Sequence, residues 1–440
     1  MFIFRENSKS FKMRPIFLLL FFVIHSFTFS QEISWRELEA EGEPLARHEN
    51  ALIEAGGKLI LIGGRGEKPI NIYDPGTKTW SKGAIPPFEI HHMQAVNLDG
   101  LIYILGAFTG AWPNETPLTH VLIYDVSTDT WAIGPEVPAN RRRGAAGVVV
   151  YNKKVYMVNG IINGHSSGWV NWLDEYDPYS GQWKTLASSP RSRDHFQAAV
   201  IESKLYVAGG RRSGSAESGF AGTVGPTNVY DFNSNTWEEL PNIPTPRAGT
   251  AAAVMNGIYV VIGGESDTQE NSHSEVEAFD PVSRKWSSLP VLGTGRHGTQ
   301  AVNAGEAIII GSGSSNRGGG PELTSFEVLT AKATAQFELP TFKKEGLRVS
   351  AKEIDFRKDP GPKELLITNP GQTAVIMPYL QHDNQEDFMM REVPGSPIII
   401  APGATRKISI ERVGKRKNAS ATIFIKTTGN SAPVEIKLSA

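Results

Sequence analysis

A phrase of about fifty residues repeats along this chain, and this repeat limits the folds that the chain can adopt. Five copies of the phrase run from a Tyr-Asp or Phe-Asp pair to a tryptophan six residues after the Asp, as in Tyr73–Trp80 and Phe279–Trp286. The repeating tryptophans are 45, 51, 52, 54 and 49 residues apart, and they are Trp35, Trp80, Trp131, Trp183, Trp237 and Trp286. A fixed period of this length is typical of propellers and other repeat folds, in which each unit packs against its neighbours.

Each unit predicts four short strands. A strand rich in Ala and Val leads through a turn such as Asn256-Gly257 into an apolar strand that ends at a glycine pair, as at Gly263-Gly264. The pair indicates backbone with positive φ or no room for a Cβ atom. A third strand ends at Tyr-Asp, and a turn leads into the tryptophan strand. Six such units predict an all-β fold, a six-bladed β-propeller.

The ends of the repeat predict how the ring closes. The sixth unit has no tryptophan after Ser325–Val328, whereas Trp35 stands alone before the first complete unit. We therefore expect the N-terminal strand to form the outer strand of the last blade, which removes an open sheet edge.

Residues 35–330 resemble the kelch family in their Gly-Gly, Tyr-Asp and Trp positions. The resemblance implies the propeller fold but leaves the activity open, because kelch propellers include copper oxidases, sugar mutarotases and plain binding scaffolds. The six-bladed sialic-acid mutarotases have an acid after a glycine pair, which Glu265 matches. Their arginine six residues later falls on Asn271 here.

The regions outside the repeat predict export and a second domain. Residues 1–30 carry Lys12 and Arg14 before the apolar run 15–24, which is typical of a signal peptide and too short for a membrane span. We expect a protein that is exported to the periplasm or beyond the cell and has no integral membrane span. Residues 31–330 then form the propeller, 331–345 a linker, and 346–440 an immunoglobulin-like β-sandwich that could bind a protein partner.

Composition excludes several classes of function. Residues 31–330 carry 23 basic and 33 acidic side chains, and residues 331–440 carry 17 and 12, so neither part has the basic excess of a nucleic-acid-binding domain. The chain has no cysteine, which excludes the copper radical cofactor of galactose oxidase. No metal motif is present, and although His91, His92 and His195 could meet across the channel, we predict neither a metal nor another cofactor.

Arginine and histidine recur where the predicted first strands begin. Five arginines stand fifteen or sixteen residues before the end of the second strand, and this regularity predicts a positive mouth at one face of the ring. Three tryptophans outside the repeat, Trp112, Trp169 and Trp172, lie in long loops of the same face. The predicted ligand-binding residues are Arg47, His48, His91, His92, Arg143, His165, Trp169, Trp172, Arg193, Arg211, Arg247 and Arg296. The alternative is structural: the arginines bond backbone carbonyls and the tryptophans pack within loops.

Three functions follow from these features. The first is binding of an acidic saccharide, such as a uronate, a sialate or a sulfated sugar, or of another small anion at the mouth. The second is an enzyme acting on the same ligands, a mutarotase, epimerase or polysaccharide lyase, with Glu265 and His195 or His297 as general acid and base. The third is a scaffold for protein interactions.

Overall fold

The computed structural model describes residues 33–215, 219–332, 334–393, 395–428 and 432–440. The predicted signal peptide, residues 1–30, lies outside the described residues. The described chain is all-β, with one short 3-10 turn at Ala139–Arg141. In this part of the chain no helix is long and apolar enough to cross a membrane.

Six four-stranded antiparallel sheets account for the repeat units, and in each of them consecutive strands are neighbours. In chain order the strands of the first three sheets are Asn50–Ala55, Lys58–Gly63, Asn71–Asp74 and Thr79–Lys82; Val96–Leu98, Leu101–Ile104, His120–Asp125 and Thr130–Glu136; Gly147–Tyr151, Lys154–Val158, Leu173–Asp177 and Gln182–Thr185. The strands of the next three are Ala198–Ile201, Lys204–Val207, Thr227–Asp231 and Thr236–Leu240; Ala251–Met255, Ile258–Ile262, Val276–Asp280 and Lys285–Ser288; Ala301–Ala304, Ala307–Gly311 and Phe326–Thr330.

The N-terminal strand Ser34–Glu37 is the outermost strand of the sixth sheet. It runs antiparallel to Phe326–Thr330 and sets Trp35 opposite Leu329. Two short hairpins extend the loops of the second and third units; they are Phe108–Thr109 with Thr116–Pro117, and Ile161–Asn163 with Ser167–Trp169.

A circle of backbone hydrogen bonds joins the six sheets just before their first strands. In five units the N–H of one residue donates to the carbonyl of its counterpart in the preceding unit at 2.6–3.1 Å, and Asn50 N–H closes the circle on Gly298 O at 3.2 Å. All of these residues have φ between 49° and 63°. We call them the ring residues; they are Glu49, His92, Ala145, His195, Gly249 and Gly298.

The glycine pairs have the backbone conformation predicted from the sequence. Gly63 and Gly64 have φ of 69° and 97°, and a Cβ atom on Gly63 would lie 2.4 Å from the carbonyl oxygen of Ile90. Gly64 N–H donates to that same oxygen at 3.0 Å, and thus links the first sheet to the second unit. Glycine is required because any side chain here would collide with the neighbouring unit.

Apolar clusters fill the spaces between neighbouring sheets. Ile60 and Ile62 of the first sheet, for example, pack with Ile102 and Ile104 of the second, and all four are fully buried. Most sheets are therefore buried on both faces, as expected for sheets that pack against a neighbour on each side.

The C-terminal part forms two further four-stranded sheets and a two-stranded ribbon. One sheet contains Arg348–Val349, Lys363–Thr368, Thr405–Arg412 and Phe388–Arg391; the other contains Glu353–Asp355, Val434–Ser439, Ser420–Lys426 and Tyr379–His382; the ribbon pairs Val375–Met377 with Ile398–Ile400. Apolar residues between the two sheets form one cluster, which includes Phe356, Leu365 and Ile423.

The ribbon lies against the second and third sheets. Ile376 and Ile399 belong to the apolar cluster that also contains Leu98 and Val148. Polar contacts surround this apolar patch: Lys344 Nζ and Thr428 Oγ1 contact Asp125 at 2.9 and 2.8 Å.

Candidate functional site

A cavity of about 540 Å³ opens where the loops after the second strands meet the segments before the first strands. We call it the mouth cavity; the described residues that line it are His48, Glu49, Arg65, His92, Trp112, His165, Arg211, Gly219, Phe220, Glu265, His297, Gly318 and Gly319. Below it the ring residues surround a neck of about 30 Å³, with room for a water molecule. The mouth cavity is therefore a cup with a nearly closed floor.

Three ring residues keep functional side chains in a backbone conformation that favours glycine. Glu49, His92 and His195 have φ of 57°, 54° and 54°, whereas Gly249 and Gly298 are glycines. A Cβ atom on Gly298 would lie 2.9 Å from Glu49 Oε1, so this glycine makes room for the carboxylate. Ala145 has a φ of 49° at the same position, so the ring conformation alone does not mark a functional side chain.

The five recurrent arginines lie inside the sheets and do not line the mouth cavity. Each is at most 1% exposed and donates to the carbonyl oxygen at the end of its own second strand at 2.5–3.1 Å. This position corrects the expectation that Arg47, Arg143, Arg193, Arg247 and Arg296 bind a ligand, because their guanidinium groups are buried within the sheets and donate to peptide oxygens there.

Each buried arginine also binds a polar side chain of its third strand at 2.5–2.7 Å. These partners stand three residues before the last residue of that strand; they are Asn71, Asp174, Asn228, Glu277 and Glu327. The second unit has the apolar pair Ile90 and Leu122 at these two positions, and both side chains are buried. The arginine and its partner therefore form one structural element of each unit.

His91 stands one position after the residue that aligns with the arginines. The ring hydrogen bonds align Ile90 with the arginines, and His91 therefore corresponds to His48 and His297. His91 is fully buried behind the cavity, where Nε2 lies 2.9 Å from Gly110 O and Nδ1 lies 2.6 Å from His92 Nδ1. Its role is to contact His92, since no ligand in the cavity can reach it.

Trp169 and Trp172 already have partners in the protein. Trp169 Nε1 donates to Ser213 O at 2.8 Å, and the guanidinium of Arg141 lies 4.2 Å from the ring centroid of Trp172. Neither of these two predicted ligand-binding residues lines the mouth cavity. Trp112 lines the cavity instead and is 67% exposed.

The carboxylate of Glu265 has three polar contacts in the mouth cavity. It accepts from Arg211 Nη1 at 2.6 Å and from Gly318 N–H at 2.8 Å, and it lies 3.3 Å from His297 Nε2. Burial alone would raise its pKa, but His297, Arg211 and the Gly318 N–H together lower the pKa to about 2. Such a carboxylate stays ionised at neutral pH and cannot act as a general acid there.

The sequence paired Glu265 with either His195 or His297, and the structure brings one of these two pairs together. Glu265 and His297 are neighbours, but His195 contacts Asp194 Oδ1 at 2.5 Å and His165 Nε2 at 3.0 Å. Burial lowers the pKa of His195, with a further effect from Arg211. The arrangement thus separates the candidate acid–base groups into two clusters.

The charges of the mouth cavity are nearly balanced, unlike the predicted positive mouth. Its described lining includes two arginines, two glutamates and four histidines. Both arginines are paired: Arg65 with Glu115 at 2.5 Å, and Arg211 with Glu265. Glu322 binds His48 at 2.7 Å and adds another carboxylate directly behind the lining. The formal charges of the two arginines and the two glutamates in the lining therefore cancel.

Comparisons with known proteins agree with the repeat. The family described as the KLHDC2/KLHL20/DRC7 Kelch-repeats domain matches residues 171–313. Residues 171–313 are therefore similar to a kelch-repeat domain, and we call the six repeat sheets with their loops, residues 33–330, the kelch domain. Kelch-like protein terF of Aspergillus terreus (strain NIH 2624 / FGSC A1156) is 29% identical over 292 residues, which are 62% of this chain and 62% of that protein. Human Kelch-like protein 23 is 26% identical over 222 residues, 50% of this chain and 36% of that protein.

A solved structure is similar to this chain in fold alone. The structure titled "Structure of YjhT" is 14% identical with a TM-score of 0.57, and the match covers 66% of this chain and 96% of that one. The chain covers less than two thirds of the length of the two kelch-like relatives named above.

Several site residues of the kelch domain were missed by the sequence analysis. Glu49 directly follows His48, and Arg65 stands two residues after Gly63, as Arg211 does after Gly209. The positions of Glu49 and Arg65 can be predicted from the repeat once the ring residue of each unit is known. Glu115 and Phe220 lie in long, irregular loops, where the repeat carries no positional signal.

Acid should destabilise the kelch domain through Glu265. Its folded pKa of about 2 lies below the ordinary 4.5, so the unfolded chain takes up the proton first. The stabilisation, roughly 3 kcal/mol, is present above pH 4.5 and is lost as the pH falls towards 2. Urea unfolding across this range should show a steeper loss of stability for the wild type than for Glu265→Gln. The exposed Glu306→Gln is the control, and equal slopes for all three proteins would contradict the prediction.

Proposed function

We propose that the kelch domain is a binding module that takes a segment of another protein into the mouth cavity. The observation that carries the proposal is Trp112, whose ring is 67% exposed at a cavity of about 540 Å³. An exposed tryptophan beside a concave pocket is the usual anchor of a protein interface, since truncating such residues typically costs 2 kcal/mol or more.

Phe220 gives the segment a second apolar contact on the cavity lining. The guanidinium of Arg211 lies 5.8 Å from the ring centroid of Phe220, which holds an aromatic face beside the polar floor. The partner segment therefore needs an aromatic or long aliphatic side chain to pack between Trp112 and Phe220. The paired charges below then contribute specificity more than affinity.

The internal pairing of the charged residues favours binding over catalysis. Arg65 and Arg211 are held by Glu115 and Glu265, and Glu265 has a pKa of about 2. A catalytic acid or base needs a pKa near the working pH. For the same reason an acidic saccharide is the weaker candidate ligand, and a mutarotase, epimerase or lyase activity the weaker candidate reaction.

The proposal includes three features of the whole protein. The six four-stranded sheets are taken as the blades of one closed propeller, supported by the circle of ring hydrogen bonds. The two C-terminal sheets are taken as an immunoglobulin-like sandwich, and a protein partner that binds this module is part of the proposal. Export to the periplasm or beyond rests on the sequence of residues 1–30.

A selection from displayed random peptides on the full chain tests the proposal. We expect enriched peptides with an aromatic or aliphatic anchor, and Trp112→Ala should weaken their binding at least tenfold in calorimetry. Val282→Ala, at an apolar residue that is 92% exposed outside the mouth cavity lining, should leave binding unchanged.

Two results would contradict this function. Either no peptide is enriched over a blank surface, or enriched peptides bind Trp112→Ala as tightly as the wild type. A panel of uronate and sialate oligosaccharides belongs in the same experiment. Binding of these sugars without binding of peptides would favour the carbohydrate hypothesis instead.

A further inference from the structure

Three histidines of the kelch domain face one another at the edge of the mouth cavity. The ring centroids of His92, His165 and His195 are 4.9, 5.0 and 4.7 Å apart, close to an equilateral triangle. One ring nitrogen from each residue lies within 4.8 Å of those of the other two. His92 and His195 are ring residues, and His165 comes from the hairpin loop between Asn163 and Ser167. We call them the histidine triad.

Hydrogen bonds fix the tautomers of two members of the triad. His165 Nδ1 lies 2.8 Å from Glu115 Oε2, and His195 Nδ1 lies 2.5 Å from Asp194 Oδ1. The side chains of both carboxylates are fully buried. Because an ionised carboxylate only accepts hydrogen bonds, both Nδ1 atoms must carry the proton. Each neutral ring then presents an unprotonated Nε2.

The two Nε2 atoms lie 3.0 Å apart. With both protons on the Nδ1 atoms, this distance brings two nitrogen lone pairs together with no hydrogen between them. Such a contact is repulsive unless a positive charge lies next to both atoms. That charge is either a proton, which would convert one ring to an imidazolium, or a bound cation.

His92, the third histidine of the triad, is oriented by hydrogen bonds through His91. His91 Nε2 faces the carbonyl oxygen of Gly110 at 2.9 Å, so this nitrogen donates and His91 Nδ1 accepts. The hydrogen on the 2.6 Å contact between the Nδ1 atoms of His91 and His92 therefore belongs to His92. His92 is thus left with an unprotonated Nε2 as well.

We propose that His92, His165 and His195 bind one divalent transition-metal ion, for which Zn²⁺ is the best match. Three neutral imidazoles suit zinc and its neighbours in the first transition row, whereas Mg²⁺ and Ca²⁺ prefer oxygen ligands. Zn–N bonds of about 2.0–2.1 Å place tetrahedral ligand atoms about 3.3 Å apart, so the 3.0 Å pair needs only a small movement.

The surroundings of the triad have the features of a metal site's outer shell. Metal-binding histidines usually donate their other ring N–H to a carboxylate or a carbonyl, as His165 and His195 do here. Asp194 is itself held by Ser213 N–H at 3.0 Å. Glu49 Oε2 lies 3.5 Å from His92 Nε2 and adds negative charge that a divalent cation would balance.

Three protein ligands leave a fourth position for the ion. His92 and His165 line the mouth cavity, so this position faces the space where the proposed function places a partner segment. A carboxylate or imidazole of the partner could then complete the coordination. The metal site itself does not depend on the proposed function, because the chain alone supplies the three ligands.

Titration of the full chain with Zn²⁺ alone, after chelator treatment and dialysis, tests the proposal by calorimetry. We expect one ion per chain and no comparable binding of Mg²⁺. Co²⁺ should give the visible absorption of a low-coordinate site. His165→Ala should weaken Zn²⁺ binding at least 100-fold, and Glu115→Gln, which removes an outer partner, should weaken it 10–100-fold. His120→Ala, a half-exposed histidine outside the triad, should bind like the wild type.

His195→Gln provides a second ligand variant in case one of the substitutions perturbs folding, which far-ultraviolet circular dichroism would report. A wild-type chain that takes up no Zn²⁺ would overturn the proposal and leave a shared proton between His165 and His195 as the explanation of their contact. Equal Zn²⁺ affinity of wild type, His165→Ala and His195→Gln would overturn it too. The peptide selection described above uses a different readout, so either proposal can fail without the other.

Discussion

Replacing Arg247 with methionine is expected to lower the free energy of unfolding by about 3–5 kcal/mol. The guanidinium is fully buried and donates to three groups at 2.5–2.7 Å: the carbonyl oxygens of Gly263 and Thr245 and the carboxylate of Glu277. Removing the cation leaves a buried carboxylate and several peptide oxygens without their donor. Folding removes water from each of these groups. When the arginine is absent, their hydrogen bonds are not made, and the protein loses stability.

The protein itself indicates how a second substitution can recover the lost stability. Its second unit has Ile90 and Leu122 at the two corresponding positions, and both pack into the apolar cluster between the first and second sheets. The double variant Arg247→Ile with Glu277→Leu should therefore recover at least half of the lost stability. Buried ion pairs can often be exchanged for apolar residues at little cost, whereas deleting one partner is strongly destabilising.

Urea unfolding of both variants beside the wild type measures these differences. Arg284→Met is the matched control, because Arg284 lies in the same unit as Arg247 but forms an exposed ion pair, with Glu238 of the fourth sheet, and its loss should leave stability almost unchanged. A loss below 1 kcal/mol for Arg247→Met would contradict a structural role for the arginines. A double variant less stable than the single one would contradict the equivalence with the second unit.

The arginines show both what the sequence can predict and where its signal ends. Their regular spacing identified one position in five units, because a repeat makes equivalent sites visible. It could not tell an inward-facing arginine that binds carbonyls from one that faces a ligand, since both uses give the same spacing. The decisive partners, such as Glu277, lie thirty residues away on the third strand. Only the second unit, which lacks both members of the pair, carried a clue.

The histidine triad shows the complementary limit. His92 and His195 belong to the repeat, and their position near the first strands could be read from the sequence. His165 and Glu115 lie in loops without a repeat, and no spacing rule brings them together. The tautomers depend on Gly110, Asp194 and Glu115, whose positions follow from the loop backbone. A metal site spread over several units therefore has no linear motif.

A charge placed at Ile376 should separate the C-terminal sheets from the kelch domain. Ile376 is fully buried in the cluster that contains Leu98 and Val148 of the second and third sheets. An aspartate at this position leaves the apolar cluster with an unpaired carboxylate, and burying it would cost several kcal/mol. We expect Ile376→Asp to lower the stability of this contact by about 3–5 kcal/mol. The polar contacts of Asp125 with Lys344 and Thr428 are too few to compensate for this loss.

Two probes can follow the separation, because all nine tryptophans lie between Trp35 and Trp286. Their fluorescence reports on the kelch domain, and hydrogen exchange of 434–439 reports on the C-terminal sheets. In the wild type both should respond together, whereas in Ile376→Asp the C-terminal amides should exchange before the fluorescence changes. Leu366→Asp places the same charge on a residue of the same module that is 39% exposed, and it should behave like the wild type. Coincident transitions in Ile376→Asp would show that the ribbon does not hold the two parts together.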